Sequence, residues 1–186
     1  MPTARQLVRW LDELGRISDE QGKLTRTFLS PAMCRANAKV ARWMRAAGLA
    51  VREDALGNLI GRLEGTTPGG KALLLGSHLD TARDAGRFDG ALGVLLPIAA
   101  LRELRRRRVK LPFAVEVLGF SEEEGVRFSS AYLGSKGFAG LLVARDLTLR
   151  DAAGETVRAA LERHHGRPFS PPRAAHARSN LMGYFE

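Results

Sequence analysis

The chain has 186 residues, 45% of them hydrophobic and 26% charged, an ordinary globular mixture with enough apolar side chains for a core that needs no disulfide staples. Its single cysteine, Cys34, excludes an internal disulfide framework and fits a reducing, cytoplasmic setting. The net charge of +9 arises from 24 Arg and 5 Lys against 20 acids and can favour anionic partners, but without zinc-finger spacing, an aromatic RNA-binding motif or a helix-turn-helix no nucleic-acid partner is expected.

The opening MPTARQLVRW lacks the apolar stretch and cleavage site of a secretory leader, so none is expected. Leu7, Val8, Trp10, Leu11, Leu14 and Ile17 recur at helical spacing and predict an amphipathic helix over residues 3–17. Ser30-Pro31 is a helix start, with Ser as N-cap and Pro in the first turn, and the helix should run to about Ala47 before Gly48. Leu49 to Asp54 and Asn58 to Leu63 read as a hairpin turned at Ala55-Leu56-Gly57. Lys71 to Gly76 reads as a buried strand and Asp84 to Asp89 as a polar loop. Gly90 to about Arg107 has helical periodicity, although it includes the apolar stretch from Ala91 to Ala100. That stretch is too short and too interrupted by Gly and Pro to span a bilayer. Pro112 to Phe120 is a second buried strand. Ser129 to Ala139 and Glu155 to His165 read as helices, Arg167 to Arg178 as an extended loop, and Leu181 to Glu186 as the start of a strand. Strands alternating with helices predict an α/β layered fold.

Three polar groups stand out against this pattern. His78-Leu79-Asp80 follows a buried strand, where sites form in open α/β sheets. If extended, the segment places His78 and Asp80 on one face, so that the carboxylate can hold one imidazole nitrogen and leave the other for a metal. Alone, the triplet is better explained as a turn histidine with a capping Asp. Asp89 precedes a helix and fits either an N-cap or a ligand brought near His78 by an 11-residue loop. Glu122, Glu123 and Glu124 follow a strongly apolar strand; their mutual repulsion disfavours tight local structure unless a cation is present, although a solvated acidic turn is common. All three groups follow strands or open a helix on what would be one sheet edge. Carboxylates with one imidazole suit Zn²⁺, Mn²⁺ or Co²⁺, and adjacent acids can divide the work of ligand and general base.

Gly57-Asn58-Leu59-Ile60-Gly61-Arg62, Gly76 to Thr81, Gly86 to Val94, Glu123 to Phe128 and Leu133-Gly134-Ser135 occur in order. With these motifs the chain resembles the amidase/hydantoinase-carbamoylase branch of the M20 metallopeptidase family, from Trp10 to Glu186. The resemblance implies a mixed α/β sheet with flanking helices, as in the zinc-peptidase-like catalytic domain of that family. It implies a centre for two divalent ions, with His78 on one, Asp89 bridging and Glu124 on the other. Glu123 would be the general base, Asp80 the residue orienting His78, and Glu122 a neighbour without a direct role. The implied reaction is hydrolysis of a carbamoyl or ureido C–N bond, releasing ammonia and carbon dioxide. Thr81 to Arg87 and Leu149 to Gly154 look more like allantoate amidohydrolases than N-carbamoyl-L-amino-acid or β-ureidopropionate hydrolases.

Members of the family continue past the position of Glu186 into a His-Ile-Glu-Gln-Gly strand, a lid and dimerisation domain and a last metal-binding His, and the complete proteins are homodimers. Residues 1–186 are therefore expected to be an incomplete catalytic domain, inactive alone. Three side-chain ligands are too few for two ions. His164 and His165 end a surface helix and His176 lies in the Pro/Arg loop, so none is a natural substitute for the missing ligands. The rival expectation is a non-catalytic binding module.

Overall fold

The computed structural model describes residues 2–186. Apolar periodicity builds the first layer. Trp10, Leu11 and Leu14 bury one face of α1 (Pro2–Gly15), while Val8 stays half exposed on its flank. Ser30 caps α2 (Pro31–Ala46) by accepting from the Met33 amide at 3.1 Å, a contact worth about 1 kcal/mol. Trp10 and Trp43 stack with ring centroids 5.0 Å apart and lock the two helices together.

The chain then forms β1 (Ala50–Glu53) and β2 (Leu59–Leu63), paired antiparallel as the hairpin pattern predicts. Next come β3 (Ala72–His78), α3 (Ala91–Arg106) and β4 (Ala114–Phe120), with β3 and β4 parallel and α3 as their crossover. After α4 (Leu133–Phe138), α5 (Ala144–Thr148) and α6 (Val157–His165), β5 (Leu181–Phe185) adds parallel to β3. The sheet order is β1-β2-β4-β3-β5, a mixed sheet with flanking helices, as expected. No helix among the described residues is long and apolar enough to cross a membrane.

Strand alternation divides the core. Val115 and Val117 of β4 face α1, α2 and α3, whereas Ala114, Leu118 and Phe120 face the opposite side, with Ile60 and Leu74. Glu116 falls on that second face, buried among apolar neighbours. Arg62 Nη1 and His176 Nε2 each reach it at 2.9 Å, which offsets the cost of its burial. A third cluster gathers Phe28, Leu56, Phe128 and Leu133 beneath α5 and α6.

Two elements differ from the sequence pattern for local reasons. The helix expected from Ser129 starts only at Leu133, because Ser129 (φ 53°) and Tyr132 (φ 68°) adopt left-handed backbone that a helix cannot contain. The helix expected from Glu155 starts at Val157, because Thr156 takes the cap position and accepts from Ala159 N. The segment before it is pinned by Arg127, which donates to Asp151 at 2.9 Å, to Glu155 at 2.5 Å and to the Phe28 carbonyl at 2.9 Å.

Hydrogen bonds from Arg163, joined by Arg127, hold the Glu155 carboxyl below its usual range. Its stabilising contribution is thus complete above about pH 4.3 and is lost as the pH falls through the lowered native value. Arg127→Met is expected to cost more stability at about pH 7 than at about pH 3. Urea unfolding at both pH values checks this, and an equal cost at both contradicts it.

Candidate metal centre

Parallel pairing delivers the site. His78 and Phe120 are register partners at the carboxyl ends of β3 and β4, so the loops that follow leave the same edge of the sheet. The strand runs to His78 rather than ending at Gly76, so the imidazole stands on regular backbone and is buried. Its Nδ1 lies 2.9 Å from the main-chain oxygen of Asp80, while the Asp80 carboxylate is 4.0 Å away. The group that orients His78 at hydrogen-bond distance is therefore the Asp80 carbonyl, not the expected side chain. A carbonyl only accepts, so Nδ1 is the protonated nitrogen, and in the neutral imidazole the lone pair is on Nε2. That nitrogen faces Asp89 Oδ1 at 3.9 Å and Glu123 Oε2 at 3.7 Å.

Asp89 does not cap α3. Gly90 holds the cap position with no side-chain cap bond, and this leaves the Asp89 carboxylate exposed and unused by the helix. Gly90 has φ of 62°, and a Cβ there would sit 2.5 Å from the His78 ring. The glycine is needed twice, for the backbone and for the space.

The acidic run divides sharply. Glu122 is fully buried with φ of 47°, and its Oε1 accepts from the amides of Arg127 at 3.1 Å and Phe128 at 2.9 Å. Burial raises its carboxyl to about 7. Glu122 thus shapes the loop from inside. Glu123 and Glu124 are half-buried. Burial, with nearby Glu124, Asp80 and Glu186, raises Glu123 despite the opposing influence of His78. Burial also raises Asp80, whose Oδ2 accepts from the Glu124 amide at 3.2 Å.

Buried polar side chains that sequence reasoning passed over hold these loops. Arg26 donates from Nε to the Leu79 carbonyl at 3.0 Å, and from Nη1 to Leu14 at 3.0 Å and Ile17 at 3.1 Å. Its amide donates to Thr81 Oγ1 and its carbonyl accepts from the Thr81 amide, both at 2.9 Å. The guanidinium therefore grips the residue between His78 and Asp80. Asn58 performs the same task for the other loop: its Oδ1 accepts from Ser121 N at 3.0 Å and its Nδ2 donates to the Gly134 carbonyl at 2.9 Å. A Cβ on Gly134 would collide with Asn58 Oδ1, which explains why glycine stands in that motif. Arg26 lies in the polar stretch from Gly22 to Ser30 between two predicted helices, where solvent exposure explains a cation equally well.

The donor set fits a divalent cation. One ligand atom each from His78, Asp89 and Glu124 lies within 4.8 Å of the other two. The buried Asp80 Oδ1 beside them has no hydrogen-bond partner, the condition that a nearby cation relieves. A cavity of about 400 Å³ opens next to Glu123, floored by Leu118, Phe120 and Phe138 and rimmed by Tyr132 and Tyr184.

Comparison with known proteins places this arrangement. The model of peptidase family M28 matches residues 58–161, more than half of the chain. The chain belongs to this family. Its structure superposes on a hydantoinase/carbamoylase family amidase from Burkholderia ambifaria with a TM-score of 0.86 and 36% identity, covering 99% of this chain and 44% of that one. The family model is thus that of M28, while the hydantoinase/carbamoylase branch is the one the motifs resemble. Allantoate deiminase of Arabidopsis thaliana is 45% identical over 159 residues, 84% of this chain and 30% of its own length. N-carbamoyl-L-amino acid amidohydrolase of Geobacillus stearothermophilus is 38% identical over 187 residues, 100% of this chain and 46% of its own. The chain therefore spans less than half the length of each.

Gly90→Ala is expected to cost about 1–3 kcal/mol and to move the His78 ring resonances, because the new methyl meets the imidazole. Two-dimensional NMR and urea unfolding check this, and unmoved His78 signals contradict it. Arg26→Met removes the donor to the Leu79 and Ile17 carbonyls and one of the two donors to the Leu14 carbonyl, and is expected to cost about 3 kcal/mol or more. A loss below about 1 kcal/mol in chemical denaturation contradicts the clamp.

Proposed function

We propose that this chain contributes part of a metal-dependent amidohydrolase centre that hydrolyses a carbamoyl or ureido C–N bond, with allantoate as substrate. The observation that carries the reading is the convergence of His78, Asp89 and Glu124 at one sheet edge, with Glu123 3.7 Å from the imidazole. Amidohydrolases of ureido and carbamoyl substrates among the relatives support it. His78, Asp89 and Glu124 would hold the metal, and zinc, manganese or cobalt would suit the mixed N/O set.

Bound divalent ions supply Lewis acidity at the substrate carbonyl and favour ionisation of water. The chain's own residues do the rest. Glu123 takes the proton from the attacking water and returns it to the leaving nitrogen. The Asp80 carbonyl holds the His78 Nδ1 proton, which keeps Nε2 aimed at the centre. The apolar floor beside Glu123 limits water and sets a wall for the substrate. Ammonia and carbon dioxide follow from breakdown of the carbamoyl group.

Three side-chain donors fall short of two ions, and the relatives are at least twice as long. We therefore read residues 1–186 as one part of a catalytic domain whose other part completes the ligand set, the substrate clamp and a homodimer in the cytoplasm. N-carbamoyl-L-amino acids are the second substrate class, favoured by the relative that aligns over 100% of this chain.

The 186 residues alone are expected to bind divalent metal weakly and to release no ammonia from allantoate. Metal-dependent ammonia release by this chain contradicts the division of the site. Joined to the remaining length of its relatives, Glu123→Gln is expected to keep metal and lose roughly 10²–10⁴-fold in turnover. Full turnover by that variant contradicts the base assignment. A panel of allantoate and N-carbamoyl-L-amino acids ranks the two substrate classes.

A further inference from the structure

A second group of metal-type donors shares no residue with the first. Glu53, His164 and His165 each place one ligand atom within 4.8 Å of the other two. Glu53 ends β1, and the two histidines end α6. A histidine at a helix C-terminus is ordinarily explained by the helix dipole and an ion pair, and the 2.6 Å contact from His164 Nε2 to Glu53 Oε1 fits that reading.

The surroundings go further. His164 Nδ1 lies 3.8 Å from Cys34 Sγ, and His165 Nε2 lies 3.1 Å from the Ala55 carbonyl. Each imidazole thus has one nitrogen in contact with a protein group outside the cluster, an arrangement shared by metal-binding histidines. The two rings meet edge to face with centroids 4.8 Å apart, so they converge rather than splay into solvent. His164 and Glu53 are partly buried, with side-chain exposures of 19% and 31%. A cleft of about 500 Å³ beside Glu53, His164 and Cys34 gives an incoming ion room.

We propose that Glu53, His164 and His165 form a second divalent-metal site, of zinc type, with a fourth position open to solvent. Two imidazoles and one carboxylate are a borderline N/O set that favours zinc over magnesium or calcium. On binding, the ion takes the place between His164 Nε2 and Glu53 Oε1, and any proton held there leaves to solvent. The consequence is structural. Glu53 sits beside the helix layer of α2, whereas α6 packs in the cluster with Phe28 and Phe128. An ion held by both ties α6 to β1.

The test uses the full chain with the first centre disabled by His78→Ala, dialysed against zinc and assayed by elemental analysis. About one equivalent of zinc is expected to remain. It should raise the melting temperature and be lost when His164→Ala and His165→Ala are added, while His176→Ala, outside the group, leaves it in place. Loss of all zinc from His78→Ala alone overturns the proposal, as does full retention in the triple variant. Histidine ring NMR of the unsubstituted chain is independent of whether the variants fold. The His164 and His165 signals should move with added zinc, and fixed signals during zinc binding overturn the proposal.

Discussion

A buried guanidinium determines how this fold presents its chemistry. Arg26 is almost fully buried, and burial lowers it to about 10 against the raising influence of Asp80 and Asp19, so it remains charged at neutral pH. Such a group is costly unless its donors are used. Here they bind carbonyls at the end of α1 and the carbonyl of Leu79. The strand leading to His78 can therefore end at the sheet edge without leaving its backbone oxygens unpaired, and Leu79 can bury its side chain while the residues on either side turn to the site. Asn58 solves the same problem for the loop after β4 with a neutral amide.

The charge balance is inverted at this edge. A chain of net charge +9 gathers Asp80, Asp89, Glu123 and Glu124 around one histidine, with Glu122 buried in the same loop, and no arginine or lysine pairs with Glu123, Glu124 or Asp89 among the described residues. Asp80, Glu122 and Glu123 are all raised, burial being the largest cause for each. Crowded carboxylates in a low-dielectric setting resist ionisation unless a cation stands among them. The loops nevertheless keep a tight backbone, with strained conformations at Glu122 and a glycine at Gly90, of the kind that persists where the surroundings over-determine it. The basic excess lies elsewhere, as in the exposed run from Arg105 to Lys110 at the end of α3.

Much of this was legible in the sequence because it rests on local rules. Helical spacing, the Ser30-Pro31 start and the Gly57 turn place α1, α2 and the hairpin within a few residues. The site acids and His78 stood out as polar groups set directly after apolar strands. What was not legible depends on contacts between residues far apart in the chain. Arg26 and Leu79 are separated by 53 positions, and Asn58 and Gly134 by 76. The backbone carbonyl of Asp80, rather than its conspicuous carboxylate, meets His78, and no spacing rule distinguishes the two. α5 is only five residues long and follows an exposed segment, too short for periodicity to register. The three adjacent glutamates look alike in sequence, yet Glu122 points inward to cap amides while its neighbours face the site.

The central claim is that His78, Asp89 and Glu124 form one cation centre at the carboxyl edge of β3 and β4. Anomalous diffraction from crystals of this chain soaked in zinc addresses it directly. A peak among these three side chains, with His78 Nε2 rather than Nδ1 as the ligand, is the expected result. Coordination through Nδ1, or zinc bound elsewhere with nothing among these three, would contradict the account.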